Sequence, residues 1–322
     1  MIRRLRFALL LLPALTALAA CGPAVEGRPE AVACGFDKLA ELPIRLQRNE
    51  PHVIVAINDD DRNLVLDTGA EHTVISEQAA KSLGLKRTGS TSVIHGIGGT
   101  QTSWVGMAAR FDFGGTRLRN FPVRVANIQL ARPHGDAPDG LLGADVLSGF
   151  DIDLDLPNSR MAFYRPRNCA DGGPNWTVPY ASVEMTSADQ GRIVLPMELD
   201  NVRISMVLDT GAEMSAISRI TAMRAGRGAE AIQTGRSVTV TGATDKKITA
   251  YQHRFQYVRI GRLVARDPLL VVADLPPAAR DGILGIDFMR GRRIWISYAS
   301  KRIFVSLPPQ AVAAAPAGAR AQ

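Results

Sequence analysis

Two aspartates carry the clearest chemical signal in the sequence. Asp67 ends the apolar run Leu64-Val65-Leu66 and is followed by Thr68-Gly69-Ala70-Glu71; Asp209 ends Met206-Val207-Leu208 and is followed by Thr210-Gly211-Ala212-Glu213. One aspartate before a glycine is ordinary turn chemistry. Two of them, each delivered by an apolar strand to a turn that glycine permits, suit an acid–base dyad. Carboxyls that share one site cannot both ionise, so one keeps a proton while the other stays a base. Such a pair can activate a water molecule and protonate a leaving amine, with no covalent intermediate and no metal.

The elements that must position these aspartates are duplicated with them. Asp139-Gly140-Leu141-Leu142-Gly143-Ala144-Asp145 recurs as Asp281-Gly282-Ile283-Leu284-Gly285-Ile286-Asp287, at the 142-residue offset that separates the aspartates. The same offset carries Gly149 onto Gly291, Ile152 onto Ile294, Arg160 onto Arg302 and Pro166 onto Pro308. Register held over that length marks a tandem duplication of one folding unit. Within each unit the apolar runs are short and punctuated by turn formers. In the first they are Ile44 to Leu46, His52 to Ile57, Met107 to Phe113, Phe121 to Val125 and the alternation Ile152 to Leu156; in the second, Ile193 to Leu199, Ser205 to Leu208, Val238 to Val240, Phe255 to Ile260, Leu269 to Val272, Ile294 to Ser297 and Arg302 to Val305. Turns are expected at Asn49-Glu50-Pro51 and over Asn58 to Asn63, and one short helix from Ser76 to Leu83, stopped by Gly84. The class is therefore all-β. Asp139 and Asp281 read as turn residues, and Asp145 and Asp287 as N-caps of short helices.

The strand ending in Asp-Thr-Gly-Ala, the glycine-rich hairpin Ile94-His95-Gly96-Ile97-Gly98-Gly99 and the apolar-glycine segment Leu141-Leu142-Gly143 resemble those of the retropepsin-like aspartic proteases. The resemblance covers residues 40 to 166 and 177 to 308. It implies two retropepsin-like lobes, residues 40–168 and 177–308, joined by a turn-rich linker at 169–176 into a pepsin-like pseudo-dimer with a central cleft. By the same resemblance Asp67 and Asp209 lie at the cleft floor, Thr68 and Thr210 hydrogen-bond beneath them across the lobe interface, and Gly69 and Gly211 leave room for substrate backbone. Ala70, Glu71, Ala212 and Glu213 would line the cleft, although both glutamates read equally well as surface ion pairs. His95, Gly96, Ile97, Gly98 and Gly99 would form a flap over an extended peptide bound as an added strand.

A phosphate-binding reading of that glycine run fails, because neither a Gly-Lys-Ser/Thr ending nor a helix pattern follows. The second lobe offers only Thr241-Gly242-Ala243-Thr244-Asp245-Lys246-Lys247 at the matching place, so the first hairpin is expected to be the working flap. His72 and His95 stand beside dyad and flap as subsite walls or solvated side chains rather than catalysts. The implied activity is that of a cofactor-free aspartic endopeptidase acting on protein or peptide substrates as a monomer. A peptide-binding scaffold that kept the fold without the activity is the alternative from another class, and an obligate dimer is a third reading that the diverged hairpins disfavour.

Arg3, Arg4 and Arg6 precede an apolar run from Phe7 to Ala20, too short to span a bilayer and of the right length for a secretory signal at 1–20. Leu18-Ala19-Ala20-Cys21-Gly22 resembles a bacterial lipobox, which would lipidate Cys21; cleavage after Ala17-Leu18-Ala19 is the competing reading. The expected address is the periplasm, with a lipid anchor in the outer membrane rather than the inner, since Gly and not Asp follows Cys21. Residues 21–39 read as a tether and 309–322 as a disordered tail. The net charge of +7 includes the three signal arginines and is spread without long runs, which weighs against nucleic acid. Cys34 and Cys169 bracket the first lobe. They would meet as a disulfide if its terminal strands pair, or remain two thiols if not. A zinc site would need more Cys or His at useful spacing.

Overall fold

The computed structural model describes residues 34–97, 99–128, 137–169, 173–242 and 247–307. The signal segment, Cys21, the tether as far as residue 33, Gly98 and the tail lie outside the described residues.

The backbone is mostly strand, as expected. Glu50–Ile57 turns into Asp60–Leu66 through Asn58 and Asp59, at φ 53° and 73°. Arg192–Leu199 turns into Val202–Leu208 through Asp200 and Asn201, at φ 46° and 67°. Two consecutive left-handed residues give a turn whose twist matches the strands, and Asn and Asp tolerate that conformation. The turn expected over Asn58 to Asn63 is thus two residues long. The one expected at Asn49-Glu50-Pro51 sits at Arg48 and Asn49, with Glu50 and Pro51 already paired in the strand.

The strand that delivers each aspartate is fixed from the side by a second, parallel one. Leu64, Val65 and Leu66 pair with Gly140, Leu141 and Leu142; Met206, Val207 and Leu208 pair with Gly282, Ile283 and Leu284. A side chain at Gly140 would run into the Val74 carbonyl of the next strand, Val74–Ser76, so only glycine lets the three strands close up. Ser76 caps the helix Glu77–Ser82 by accepting from the Ala79 amide at 3.1 Å, and Ser218 caps Arg219–Arg224 through Thr221 at 3.0 Å. Every one of these elements keeps the 142-residue register.

Among the described residues the strands assemble into three sheets, of eight strands in the first lobe, ten in the second and six shared. The shared sheet runs Gly35–Pro43, Arg160–Arg167, Asp151–Asp155, Arg293–Ser297, Arg302–Ser306, Tyr180–Glu184. At its centre Asp153 lies opposite Trp295, its own duplicate, so the pseudo-twofold axis passes between them. Ile152, Leu154, Ile294 and Ile296 are fully buried there. Arg293 Nε donates to Asp153 Oδ1 at 2.8 Å, pairing a 1% exposed carboxylate of one lobe with a cation of the other. Removing one partner of such a buried pair costs about 3–5 kcal/mol.

This sheet corrects the tether's end. Residues 35–39 belong to the edge strand Gly35–Pro43, which pairs antiparallel with Arg160–Arg167. The strand stays because Ala40 and Leu42 are buried and Phe36 packs edge-on against Trp295 at 4.8 Å. Cys34 and Cys169 are joined in a disulfide beside it.

Candidate active site

Asp67 and Asp209 emerge side by side, one from each lobe. Asp67 Oδ1 accepts from the amides of Gly69 and Ala70, each at 2.9 Å, and Asp209 Oδ1 accepts from Gly211 at 2.8 Å. The two carboxyls lie close enough to act on each other's proton affinity. Each glycine faces the other lobe's aspartate: a Cβ on Gly69 would stand 2.5 Å from Asp209 Cγ, and one on Gly211 2.8 Å from Asp67 Cγ. Both residues keep some exposure to the cleft, while the protein around their carboxyls withdraws them from water. That withdrawal, then the charge of Asp209, holds Asp67 well above its ordinary value of 3.8. Asp209 is raised by the same withdrawal, against the pull of the Gly211 amide. One proton held between two carboxyls is the condition an acid–base pair requires.

Thr68 and Thr210, 1% and 0% exposed, lock the two loops together. The Thr68 amide donates to Thr210 Oγ1 and the Thr210 amide to Thr68 Oγ1, both at 3.1 Å. Thr68 Oγ1 donates to the Leu208 carbonyl at 2.7 Å and Thr210 Oγ1 to the Leu66 carbonyl at 2.6 Å. Each hydroxyl thus holds the residue before the opposite aspartate, and the four buried bonds fix one lobe on the other.

A second layer was hidden in the sequence. Asp145 and Asp287 do not cap helices; the N-cap positions are Gly143 and Gly285. Asp145 Oδ1 instead accepts from the Thr73 amide at 2.8 Å and from its hydroxyl at 2.7 Å, and Asp287 does the same for Ser215 at 3.0 and 2.7 Å. Thr73 and Ser215 in turn accept from the Gly143 and Gly285 amides. The loop after each aspartate is therefore tied to the strand that flanks it. The signal available was a hydroxyl residue six positions after each aspartate, in register. Asp139 and Asp281 work similarly, accepting from the amides of Asn63 and Ser205.

Ala70 and Ala212 hold these loops through their carbonyls, which accept from the amides of Ala144 and Ile286 at 2.9 Å. Glu71 meets Arg192 of the other lobe at 3.0 Å, whereas its counterpart Glu213 is exposed. His72 lies 3.8 Å from Asp145. His95 is exposed on the first hairpin, opposite Thr100. Among the described residues, no three His, Cys, Asp or Glu side chains are grouped so as to hold a metal ion.

The hairpin Arg87–Gly96 with Gly99–Phe113 turns where Gly96 pairs with Gly99, whose φ is +138°. Its Ile94 packs on the apolar face formed by Val65, Val74, Ala126, Ile128 and Leu141, next to the aspartate-bearing strand. The second hairpin, Arg236–Thr241 with Lys247–Arg254, covers the matching face: Val238, Val240 and Ile248 pack on Ala216, Ala250, Val271 and Ala273. The tips meet. A Cβ on Gly242 would come within 2.5 Å of the Ile97 carbonyl. Composition made the second tip look spent, yet its one glycine is where the first tip rests.

Residues 53–146 and 195–288 each match the model of the aspartyl protease family, together more than half of the chain, and the chain belongs to that family. No curated protein matches it. Among solved structures it resembles an aspartic proteinase from Irpex lacteus, at 13% identity and a TM-score of 0.51 over 86% of this chain and 98% of that one. The likeness is one of fold, a two-lobed all-β molecule.

Proposed function

We propose that the chain is a single-chain aspartic endopeptidase whose centre is the Asp67–Asp209 pair. The observation that carries this reading is the interlocking of the two Asp-Thr-Gly loops, which holds two carboxyls of raised proton affinity beside each other at the base of a cleft. A water lodged between them would lose a proton to the ionised carboxyl as its oxygen bonds to the scissile carbonyl carbon. The protonated carboxyl would give its proton to the carbonyl oxygen, and the C–N bond would then break as the carboxyl that took the water's proton passes it to the leaving amine. An extended peptide would lie under the paired hairpins as an added strand, while Gly69 and Gly211 leave space for the other lobe's aspartate rather than for the peptide. A binding scaffold is the weaker reading, since two carboxyls crowded into one desolvated site cost stability that only chemistry repays.

The lipobox-like Leu18-Ala19-Ala20-Cys21 supports a mature enzyme tethered by lipid at Cys21, facing periplasmic or membrane-protein substrates as a monomer. The direct test is cleavage of a peptide library by the purified protein, with inhibition by a statine-type transition-state analogue. Failure to cleave at any pH from acidic to neutral would sink the reading. For the anchor, wild type should label with a fatty-acid probe and Cys21→Ser should not.

A further inference from the structure

Arg192 opens the strand Arg192–Leu199 of the second lobe and is 7% exposed. Its Nη2 lies 3.0 Å from Glu71 Oε1, four residues beyond Asp67, and its Nη1 donates to the Ala278 carbonyl at 3.3 Å. The ion pair therefore bridges the lobes beside the dyad. The duplicated position in the first lobe is occupied by Glu50, 8% exposed, with Oε2 3.7 Å from His52 Nε2. Under true twofold symmetry a second arginine–glutamate pair would face the first, and their fields at the two carboxyls would be equal. With a glutamate in place of the second arginine they are not. The cation belongs to the lobe of Asp209 and the anion to the loop that leaves Asp67.

We infer that Arg192 is the positioning residue for the proton of the dyad: paired with Glu71 across the lobe interface, it keeps the proton on Asp67 and the charge on Asp209. Asp209 is then the base that takes the proton of the attacking water, and Asp67 the acid. The inference rests on the shared dyad proposed above. In agreement, the Arg192 charge acts to lower Asp209. Interior charges reach far enough for this, because little water intervenes to screen them. The other ionisable groups on the elements packed here are His72 and Asp145, which face each other at 3.8 Å; Glu213 at the position matching Glu71; Asp189, opposite Arg192 in the ladder; and Arg280, which ends the segment Pro277–Ala279.

The test compares Arg192→Gln, Arg192→Lys and Glu71→Gln with wild type, following the carboxyl carbons of Asp67 and Asp209 by 13C NMR against pH and, in parallel, kcat/KM against pH. In wild type Asp209 should ionise first. Arg192→Gln should raise its apparent pKa by about half a unit, roughly threefold in proton affinity, and narrow the gap between the two resonances. Glu71→Gln, which takes one negative charge away from beside the arginine, should shift Asp209 downward, and Arg192→Lys should stay near wild type. An ion pair that only joins the lobes would make the two neutral variants behave alike, and that result, or no shift in either, overturns the inference. Should Arg192→Gln not fold, the sign in Glu71→Gln decides, with an upward or absent shift counting against. The NMR readout needs no substrate, so a protein that cleaves nothing fails the proposed function without obscuring this result.

Discussion

In the first lobe the hairpin over the cleft is long and glycine-tipped, and the apolar face beneath it is built from Val74, Ile128 and Leu141 as well as Val65 and Ala126. In the second the hairpin is shorter, and Ala216, Ala250 and Ala273 take up most of the matching face. A buried arginine in the second lobe, Arg192, stands where the first has Glu50, and a disulfide closes the first lobe, with Trp176 at the position in the second that matches Cys34. Against this, the threonine amide-to-hydroxyl bonds are 3.1 Å in both directions, and Thr73–Asp145 repeats as Ser215–Asp287. The loops that carry the dyad and the bonds that tie them down obey the twofold, while the hairpin faces above and the ion pair beside them do not. Symmetric supports place two equivalent carboxyls; under the proposed function, asymmetric walls would let them take different roles and let the cleft distinguish one end of a peptide from the other.

The largest expected effect tests the symmetric part. Asp67→Asn and Asp209→Asn should each lower kcat/KM by about 10²- to 10⁴-fold, comparably for the two lobes. If one variant kept more than about a tenth of the activity, the lobes would not share the work. Next comes the disulfide, which the second lobe lacks. Replacing Cys34 and Cys169 by Ser should cost about 2–4 kcal/mol in denaturant unfolding, since a bond between residues 135 apart restricts a long stretch of unfolded chain. An unchanged midpoint would show that the edge strand Gly35–Pro43 is held by its ladder alone.

The hairpins give a smaller effect. Gly242→Val puts a side chain against Ile97 and should lower kcat/KM about tenfold by keeping the tips apart. A loss below about twofold would return the second hairpin to the minor role its composition suggests. The smallest effect concerns stability. Because the folded protein raises Asp67 above 3.8, it binds more protons than the unfolded chain from about that pH upward, and its stability falls as pH rises through the window. Asp67→Asn removes that liability. Its Tm should match wild type below pH 3 and exceed it by about 2 °C or more near neutrality, as read by calorimetry. A Tm below wild type at neutral pH would mean that the carboxyl stabilises the fold.

Much of this was legible in the sequence, because strands that carry the dyad are short-range objects. Leu64-Val65-Leu66 and Met206-Val207-Leu208 announce themselves by composition, and the 142-residue register pairs them with Leu141-Leu142 and Ile283-Leu284. Less visible were contacts between side chains far apart in the chain. Asp145 looks like a helix cap when only its neighbours are read, and its bond to Thr73 appears once the sheet brings residues 72 apart together. Glu71 looked like either a cleft residue or a surface ion pair; its partner Arg192 comes from the other lobe. The strand Gly35–Pro43 carries weak alternation, and its place depends on Trp295 and on the shared sheet.

The central claim, one catalytic centre built from the two lobes of a single chain, is met most directly by mixing. Purified Asp67→Asn and Asp209→Asn proteins, each inactive alone, are combined in equal amounts and assayed on one peptide that wild type cleaves. Because Thr68 and Thr210 lock the lobes of one chain to each other, the account predicts no activity beyond the sum of the separate proteins. Recovery of a substantial fraction of wild-type activity would mean that intact aspartates from two chains had met in one site, and would contradict it.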